Sequence, residues 1–206
     1  MPTRNAVKQY AAQSYYHVYS RGVNKRAIFL DDNDYAFFLS LLKRYLSPKA
    51  VPRPKHPPYR TFSGEIHLLT FCLMPNHIHL FLYQHDNPQA MRAFMSAVMT
   101  SYSKYFNQKY DRLGPLFQSR YLASRIMGDS YLLHISRYVH LNPKSWRDYP
   151  YSSIKYFQGK ATAEWFNPSY VLDFFEGNRQ KYLDFVADHE DYKRSLEAID
   201  LDLAHG

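Results

Sequence analysis

Residues 71–82 have the sequence Phe-Cys-Leu-Met-Pro-Asn-His-Ile-His-Leu-Phe-Leu. Apolar residues flank a central Met-Pro-Asn, a pattern that predicts two buried strands joined by a tight turn. Because side chains alternate between the two faces of a strand, His77 and His79 would share one face, while Ile78 and Leu80 would enter the core. Two imidazoles on one face of a rigid strand form half of a metal site.

The alternative for these two histidines is a solvated pair on a surface strand. With ten histidines among 206 residues, a His-x-His pattern arises by chance about 0.5 times per chain, so the pattern alone is a weak signal. The apolar flanks favour a central pair of strands, where a polar side chain needs a partner. Residues elsewhere in the chain have to decide between the two interpretations.

The composition is that of a globular protein with one domain. A chain of 206 residues that is 46% apolar is long enough to bury a substantial core. No apolar run reaches the roughly 20 residues of a membrane span, and the first residues lack the apolar segment of a secretion signal. The single cysteine, Cys72, excludes an internal disulfide and fits a reducing compartment. We therefore expect a cytoplasmic protein with no membrane partner.

Positive charge is concentrated in the body of the chain. Residues 184–202 hold seven acidic side chains, whereas residues 1–183 carry 24 Lys and Arg against 11 Asp and Glu, a net charge of +13. Phosphate backbones are the usual partner of such a basic body, with a membrane surface or solubility alone as the alternatives. Adjacent arginine and tyrosine, as in Arg120-Tyr121, are suited to stacking on single strands and neutralising them.

Hydrophobic periodicity predicts an α+β domain. The order strand, helix, strand, strand, helix, strand is typical of a ferredoxin-like βαββαβ antiparallel sheet, and one more helix follows it. The predicted strands cover residues 15–21, 65–73, 76–83 and 116–126, and the predicted helices cover residues 35–45, 89–109 and 131–141.

We predict one domain over residues 1–150 and a helical C-terminal extension over residues 151–206, packed on the same domain and ending in an acidic tail. Residues 47–60 hold five of the twelve prolines, which excludes a regular helix or strand there. This basic Pro-rich loop is either an inserted surface loop or a DNA contact.

The last predicted core helix carries a second set of polar residues. His134, Tyr138 and Asn142 recur every four residues on a face beside its packing stripe. That stripe is Leu132, Ile135 and Val139. Tyr138 taken alone is consistent with a half-buried packing tyrosine. In a basic protein with a two-histidine strand, a second interpretation arises, in which His77, His79 and Asn142 bind one divalent ion and Tyr138 attacks a phosphate.

Four ordered segments resemble the HUH single-tyrosine transposase superfamily, and specifically its REP-associated tyrosine transposase branch of the IS200-like transposases. The segments are Tyr16-His17-Val18 with Ser20-Arg21-Gly22; Met74-Pro75-Asn76-His77-Ile78-His79-Leu80; Gly114-Pro115-Leu116-Phe117-Gln118-Ser119-Arg120-Tyr121; and Arg137-Tyr138-Val139-His140-Leu141-Asn142-Pro143, followed by Tyr149 to Ser153. Any one segment would be unspecific, but four in this order are specific.

The resemblance implies a nuclease that cuts single-stranded DNA near hairpins, such as REP-like palindromes, with Mg²⁺ or Mn²⁺ and a 5′-phosphotyrosine intermediate. It implies that His77 and His79 are metal ligands, that Tyr138 is the nucleophile, and that Asn142 stands where many mobile-element members have glutamine. Imidazoles are unusual ligands for Mg²⁺, so the sequence does not identify the metal ion. A monomer is favoured over a homodimer, and a bacterial, nucleoid-associated location is expected.

Arg21, Arg120 and Arg125 are the candidates for DNA contact, with ordinary solvated charges as the alternative. Two other functions also remain open at this point. One is a hairpin-binding protein without catalysis. The other is a metal-dependent phosphodiesterase that uses water as its nucleophile, with Tyr138 only packing.

Overall fold

The computed structural model describes residues 10–53 and 55–188, and a four-stranded antiparallel sheet forms its centre. The order in the sheet is β2-β3-β1-β4, and each neighbouring pair is antiparallel. This is the ferredoxin-like order predicted from the succession of elements. The strands are β1 Ser14–Arg21, β2 Ile66–Met74, β3 His77–Gln84 and β4 Leu122–Ile126.

Three long helices accompany the sheet, and short ones follow. A capping box at the start of the first helix, made by Asp31 and Asp34, satisfies the free amides there. Over residues 10–53 and 55–188, no helix has the length and apolar character that crossing a membrane requires. The helices are α1 Asp32–Leu46, α2 Ala90–Lys109, α3 Asp129–Leu141, α4 Ile154–Phe157, α5 Ser169–Leu172 and α6 Arg179–Ala187.

The sheet has an apolar face and a polar face. On the apolar face, Leu80 of β3 lies opposite Val18 of β1, and both are fully buried. The Gln84 amide oxygen accepts from the Met91 amide at the start of α2, 2.9 Å away, so α2 covers this face with α1 beside it. On the polar face, His79 lies opposite Tyr19, and α3 packs there.

The predicted strand over residues 116–126 is too long, because only Leu122–Ile126 form β4. β1 offers partners to β4 from Tyr15 to Tyr19 alone. The residues before β4 instead pass the C-terminal end of β1, where the Val23 amide donates to the Leu116 carbonyl at 3.0 Å. This segment therefore builds the end of the sheet near the turn between β2 and β3.

The C-terminal extension continues the sheet at its β2 edge and then folds over α3. The Leu73 amide donates to the Tyr151 carbonyl at 3.0 Å, and the Ser153 amide donates to the Phe71 carbonyl at 2.9 Å. These bonds cover an edge that would otherwise expose unpaired backbone groups. The described residues of the Pro-rich loop are irregular, as predicted. Most of the predicted acidic tail, from residue 189 on, lies outside the described residues.

Candidate active site

The polar face of the sheet meets the end of α3 at two histidines and one amide. The side chain of Asn142 lies between them, with Oδ1 3.0 Å from Nε2 of His77 and Nδ2 3.2 Å from Nε2 of His79. The other ring nitrogen of His77 lies 2.6 Å from Oδ1 of Asn76. The three residues predicted as metal ligands therefore converge on one point.

The local sequence explains this convergence. Strand alternation that buries Ile78 on the apolar face turns both histidines of β3 towards α3. Helix α3 ends at Leu141, and Asn142 is its C-terminal cap residue. Pro143 follows, and proline cannot continue a helix without loss of a hydrogen bond. The side-chain amide of Asn142 is thus held at the end of α3, against the histidines of β3.

The spacing between His77 and Asn142 fits a divalent metal ion. Neighbouring ligands about 2.1 Å from an octahedrally coordinated ion are about 3 Å apart, and Oδ1 of Asn142 lies 3.0 Å from Nε2 of His77. Towards His79 the side chain of Asn142 presents its nitrogen Nδ2, at 3.2 Å, which is not a metal ligand atom. Within the described part of the chain, no group of three or more His, Cys, Asp or Glu is arranged to hold a metal ion. A metal site here would therefore depend on the Asn142 oxygen as its third ligand.

Tyr138 lies one helical turn before Asn142, beside the buried histidines. Its ring meets the ring of His79 edge-on, with 5.4 Å between centroids and an interplanar angle of 88°. It meets His17 in the same way at 5.7 Å and 81°. Tyr138 thus lies against the site, whereas the apolar stripe of α3 faces the core.

His17 is a site neighbour that the sequence reasoning did not single out. Its Nε2 lies 2.9 Å from Nδ1 of His79, and the two rings are nearly coplanar, with 5.1 Å between centroids. Such a partner fixes the orientation of an imidazole whose other nitrogen binds a ligand. A signal was present, because His17 and Tyr19 alternate on the predicted first strand. Only the pairing of β1 with β3 shows that this face meets His79.

Burial favours the neutral form of all three imidazoles. It lowers the pKa of His17 to about 4. Burial also lowers the pKa of His79 well below its ordinary value, and the charges of His17, His77 and Arg21 lower it further. For His77, burial again lowers the pKa, although the hydrogen bond with Asn142 opposes the shift. Neutral imidazoles retain the lone pair that a metal ion requires.

Arg21 is the predicted DNA-contact residue that the structure brings to the site. It lies opposite His77 in the pairing of β1 with β3, and its guanidinium lies 5.4 Å from the ring centroid of Tyr19. Its Nε is buried and has no hydrogen-bond partner among the described residues. An arginine nitrogen in that position is suited to a phosphate oxygen.

Of the other two predicted DNA contacts, Arg125 lies apart from these groups. Arg120 is exposed in the segment before β4. Arg125 lies opposite Tyr16 in the pairing of β1 with β4, so it projects from the apolar face of the sheet, away from the histidines. The structure therefore brings Arg21, but not Arg125, together with His77.

The C-terminal extension contacts α3 through a buried histidine. His140 is fully buried, with Nδ1 2.7 Å from the Tyr182 hydroxyl of α6 and Nε2 2.7 Å from the Ser153 hydroxyl. The same serine hydroxyl accepts from the Phe71 amide of β2 at 2.9 Å. This chain of contacts fixes α3 between β2 and α6.

Arg137, next to Tyr138, adds a second buried link to the extension. Its guanidinium donates to the Phe185 carbonyl at 3.2 Å and lies 2.8 Å from Nδ1 of His134. His134, predicted on the same face as Tyr138, contacts this arginine and the Phe185 ring of the extension. These contacts with the extension fix the position of α3 and therefore the position of Tyr138.

Residues 61–142 match a family model described as "Transposase IS200 like". This segment belongs to the IS200-like transposase family. It includes strands β2, β3 and β4 and helices α2 and α3. His77, His79, Tyr138 and Asn142 all lie inside it. The IS200-like segment thus has a transposase role, and it contains the site described above.

Two solved structures resemble this chain at low sequence identity. A REP-associated tyrosine transposase bound to a REP hairpin matches 80% of this chain and 92% of its own, with a TM-score of 0.55 and 14% identity. This likeness supports the fold. A candidate transposase from Deinococcus radiodurans R1 matches 68% of this chain and 95% of its own, with a TM-score of 0.38 and 14% identity. No curated protein sequence matches the chain significantly.

Proposed function

We propose that this IS200-like transposase cleaves and rejoins single-stranded DNA near hairpins, with Tyr138 as nucleophile. A divalent ion, Mg²⁺ or Mn²⁺, would be held by His77, His79 and Asn142. The observation that carries the proposal is the Asn142 side chain between two neutral imidazoles, with the Tyr138 ring 5.4 Å from that of His79. The family match supports the transposase role, and the chemistry of these side chains supports the finer mechanism.

In the proposed reaction, the phenol oxygen of Tyr138 attacks the scissile phosphorus. A bond forms between that oxygen and phosphorus, and the bond from phosphorus to the 3′ oxygen of the leaving strand breaks. The phenol gives up its proton, and the leaving oxygen takes one up, so the leaving strand ends in a 3′ hydroxyl. The other strand stays on Tyr138 as a 5′-phosphate ester, and attack by a 3′ hydroxyl can rejoin it.

Each neighbouring residue has a task in this scheme. A bound divalent ion supplies polarisation of the phosphate and stabilisation of its developing charge. His77, His79 and Asn142 hold the ligand atoms in place, and His17 orients the ring of His79. Arg21 donates to a non-bridging phosphate oxygen.

A DNA hairpin is the proposed partner for two reasons. The body of the chain carries a net charge of +13 over residues 1–183, which favours a polyanion. The REP-associated tyrosine transposase that shares the fold was solved with a REP hairpin bound. We propose a monomer as the active form, because Tyr138 and its neighbours come from one chain. A homodimer is the alternative.

The proposal is tested with a hairpin oligonucleotide labelled on the 3′ side of the cut, because that strand would remain on the protein. Wild-type protein with Mn²⁺ or Mg²⁺ should give a labelled band on a denaturing protein gel. Tyr138→Phe should give no band while it still binds the hairpin. Tyr131→Phe, two turns earlier on α3, is the matched control and should behave like the wild type.

The two competing functions give different results in this experiment. Cleavage without a labelled band that also survives Tyr138→Phe would establish the phosphodiesterase that uses water. Binding without cleavage, across hairpins with different flanking sequences and with either metal, would establish a hairpin-binding protein. Either result would contradict the proposed tyrosine chemistry.

A further inference from the structure

We propose that a cavity at the C-terminal end of β1 is a base-binding subsite for one unpaired nucleotide in the single-stranded flank of the hairpin. The base would enter the cavity, and the phosphate of the same nucleotide would contact Arg26 and Arg112. This inference rests on the proposed function and adds a substrate contact that the catalytic scheme does not contain.

The cavity combines apolar walls with positive charge. It has a volume of about 210 Å³ and contains the two arginines but no carboxylate among its lining residues. Leu30, one of the lining residues, is 58% exposed, so part of the apolar wall is open to a ligand. The lining residues are Val23, Arg26, Ala27, Leu30, Phe106, Arg112 and Leu116.

The backbone around Gly22 creates this cavity. A Cβ atom at Gly22 would lie 2.2 Å from the Arg26 carbonyl oxygen and 2.8 Å from the Ile28 side chain. Only glycine therefore lets residues 23–28 fold back against the end of β1. The Val23 amide then donates to the Leu116 carbonyl at 3.0 Å, which closes the opposite wall.

The cavity is linked through the chain to the strand end that carries Arg21. Val23 follows Arg21 by two residues, which span about 7 Å when extended, and Arg21 lies opposite His77. The Asn76 amide nitrogen donates to the Lys25 carbonyl at 3.2 Å, while its oxygen lies 2.6 Å from Nδ1 of His77. Residues 23–28 are thus tied to the start of β3, whereas Phe106 of α2 forms a wall of the cavity on the apolar side of the sheet.

The chemistry of the walls favours a nucleotide over an apolar peptide. Aromatic and aliphatic surfaces bind the faces of unpaired bases without regard to sequence. The Arg112 guanidinium lies 5.5 Å from the Phe106 ring centroid and donates to Oδ1 of Asn107 at 3.2 Å, so it is held at the cavity. Arg26 is exposed. Two guanidinium groups at an apolar cavity complement a ligand that is flat, apolar and anionic.

The test measures the affinity for hairpin DNA with single-stranded flanks by fluorescence anisotropy in the absence of metal. In a series of oligonucleotides, each flanking base is removed in turn to leave an abasic site. For the wild type, we expect one position at which loss of the base weakens binding about 5- to 150-fold. Ala27→Phe, which fills the cavity, should bind intact DNA as weakly as the wild type binds that abasic DNA, with no further loss on the abasic DNA.

A second variant tests the phosphate contact separately. Arg26→Ala combined with Arg112→Ala should weaken binding to every flank sequence alike and should reduce the dependence of affinity on salt. Lys181→Ala, which removes an exposed charge from α6, is the control and should change affinity less than twofold. Circular dichroism checks folding, and Leu30→Ala replaces Ala27→Phe in the comparison if the latter unfolds.

The proposal is overturned if no flanking abasic site weakens wild-type binding, or if Ala27→Phe keeps the full abasic penalty. It is also overturned if Ala27→Phe alters only self-association in sedimentation, which would assign the cavity to a second copy of the chain. A labelled covalent adduct together with either result would leave the tyrosine mechanism intact. Absence of any DNA binding by the wild type would overturn both proposals.

Discussion

His79 and Leu80 are neighbours on β3, but they face opposite sides of the sheet and meet different surroundings. Both are buried, at 1% and 0% exposure. Leu80 lies among apolar side chains beneath α2, whereas each ring nitrogen of His79 has a polar partner, His17 or Asn142. Burial alone therefore does not separate core from site. What separates them is whether the buried group needs specific polar partners.

The comparison has a direct consequence for substitutions. A change on the polar face should affect the reaction more than the stability of the fold. A change on the apolar face should affect stability and leave the chemistry of the folded molecules unchanged.

The largest effect is expected for His79→Ala. Loss of a proposed metal ligand should lower the single-turnover cleavage rate about 10³-fold, equivalent to about 4 kcal/mol of barrier. Affinity for the hairpin should change less than threefold, because the imidazole lies among ligand atoms and not on the basic surface. A rate within tenfold of the wild type would remove His79 from the reaction.

The matched substitution on the apolar face is Leu80→Ala. Removal of a fully buried leucine should lower the free energy of unfolding by about 2–5 kcal/mol, as measured by urea denaturation. The cleavage rate per folded molecule should stay within about twofold of the wild type. If Leu80→Ala reduced that rate as strongly as His79→Ala, the two faces would not be separable.

His17→Gln tests the polar face beyond the proposed ligands. Glutamine keeps hydrogen-bonding capacity but lacks the rigid ring whose Nε2 lies 2.9 Å from Nδ1 of His79. Loss of an outer partner of a metal ligand typically costs 10- to 100-fold in activity or metal affinity, and we expect a loss of about that size. Titration of Mn²⁺ against cleavage rate would show it as a higher half-saturating concentration. An unchanged titration curve would mean that His17 only packs.

The smallest effect is expected for Asp34→Asn, on the side of the sheet that α1 and α2 cover. Burial raises the pKa of Asp34, but hydrogen bonds from Lys109, the Leu30 amide and Tyr110 outweigh it and hold the pKa below its ordinary value. A carboxyl of this kind stabilises the fold above its unfolded pKa of about 3.9 and loses that contribution as the pH falls through the folded pKa.

We therefore expect Asp34→Asn to lower the free energy of unfolding by about 1–2 kcal/mol at pH 7. The difference from the wild type should shrink below about pH 4, as followed by urea denaturation across pH. Cleavage per folded molecule should not change. An equal difference at pH 7 and pH 3 would show that the charge of Asp34 has no part in stability.

The alternation of residues around the Met-Pro-Asn turn was enough to predict the hairpin, its buried face and the shared face of His77 and His79. The four-residue spacing on α3 likewise placed Tyr138 and Asn142 together. These are local properties of one strand or one helix, which sequence periodicity records directly.

What the sequence did not reveal depends on how distant elements pair. The register of β1 with β3 places His17 on the same face as His79. The register of β4 with β1 places Arg125 on the opposite face. His134 turns to the C-terminal extension because Arg137 is buried beneath α6. The strand predicted over residues 116–126 is shorter in the structure because β1 pairs with only five of these residues.

The most direct measurement for Tyr138 is the position of the covalent link among the twenty tyrosines of the chain. Wild-type protein would be incubated with hairpin DNA and Mn²⁺, digested with nuclease and protease, and analysed by tandem mass spectrometry. We predict a single nucleotide 5′-phosphate on Tyr138. A nucleotide on another tyrosine, or DNA cleavage with no modified tyrosine, would contradict the assignment of Tyr138 as the nucleophile.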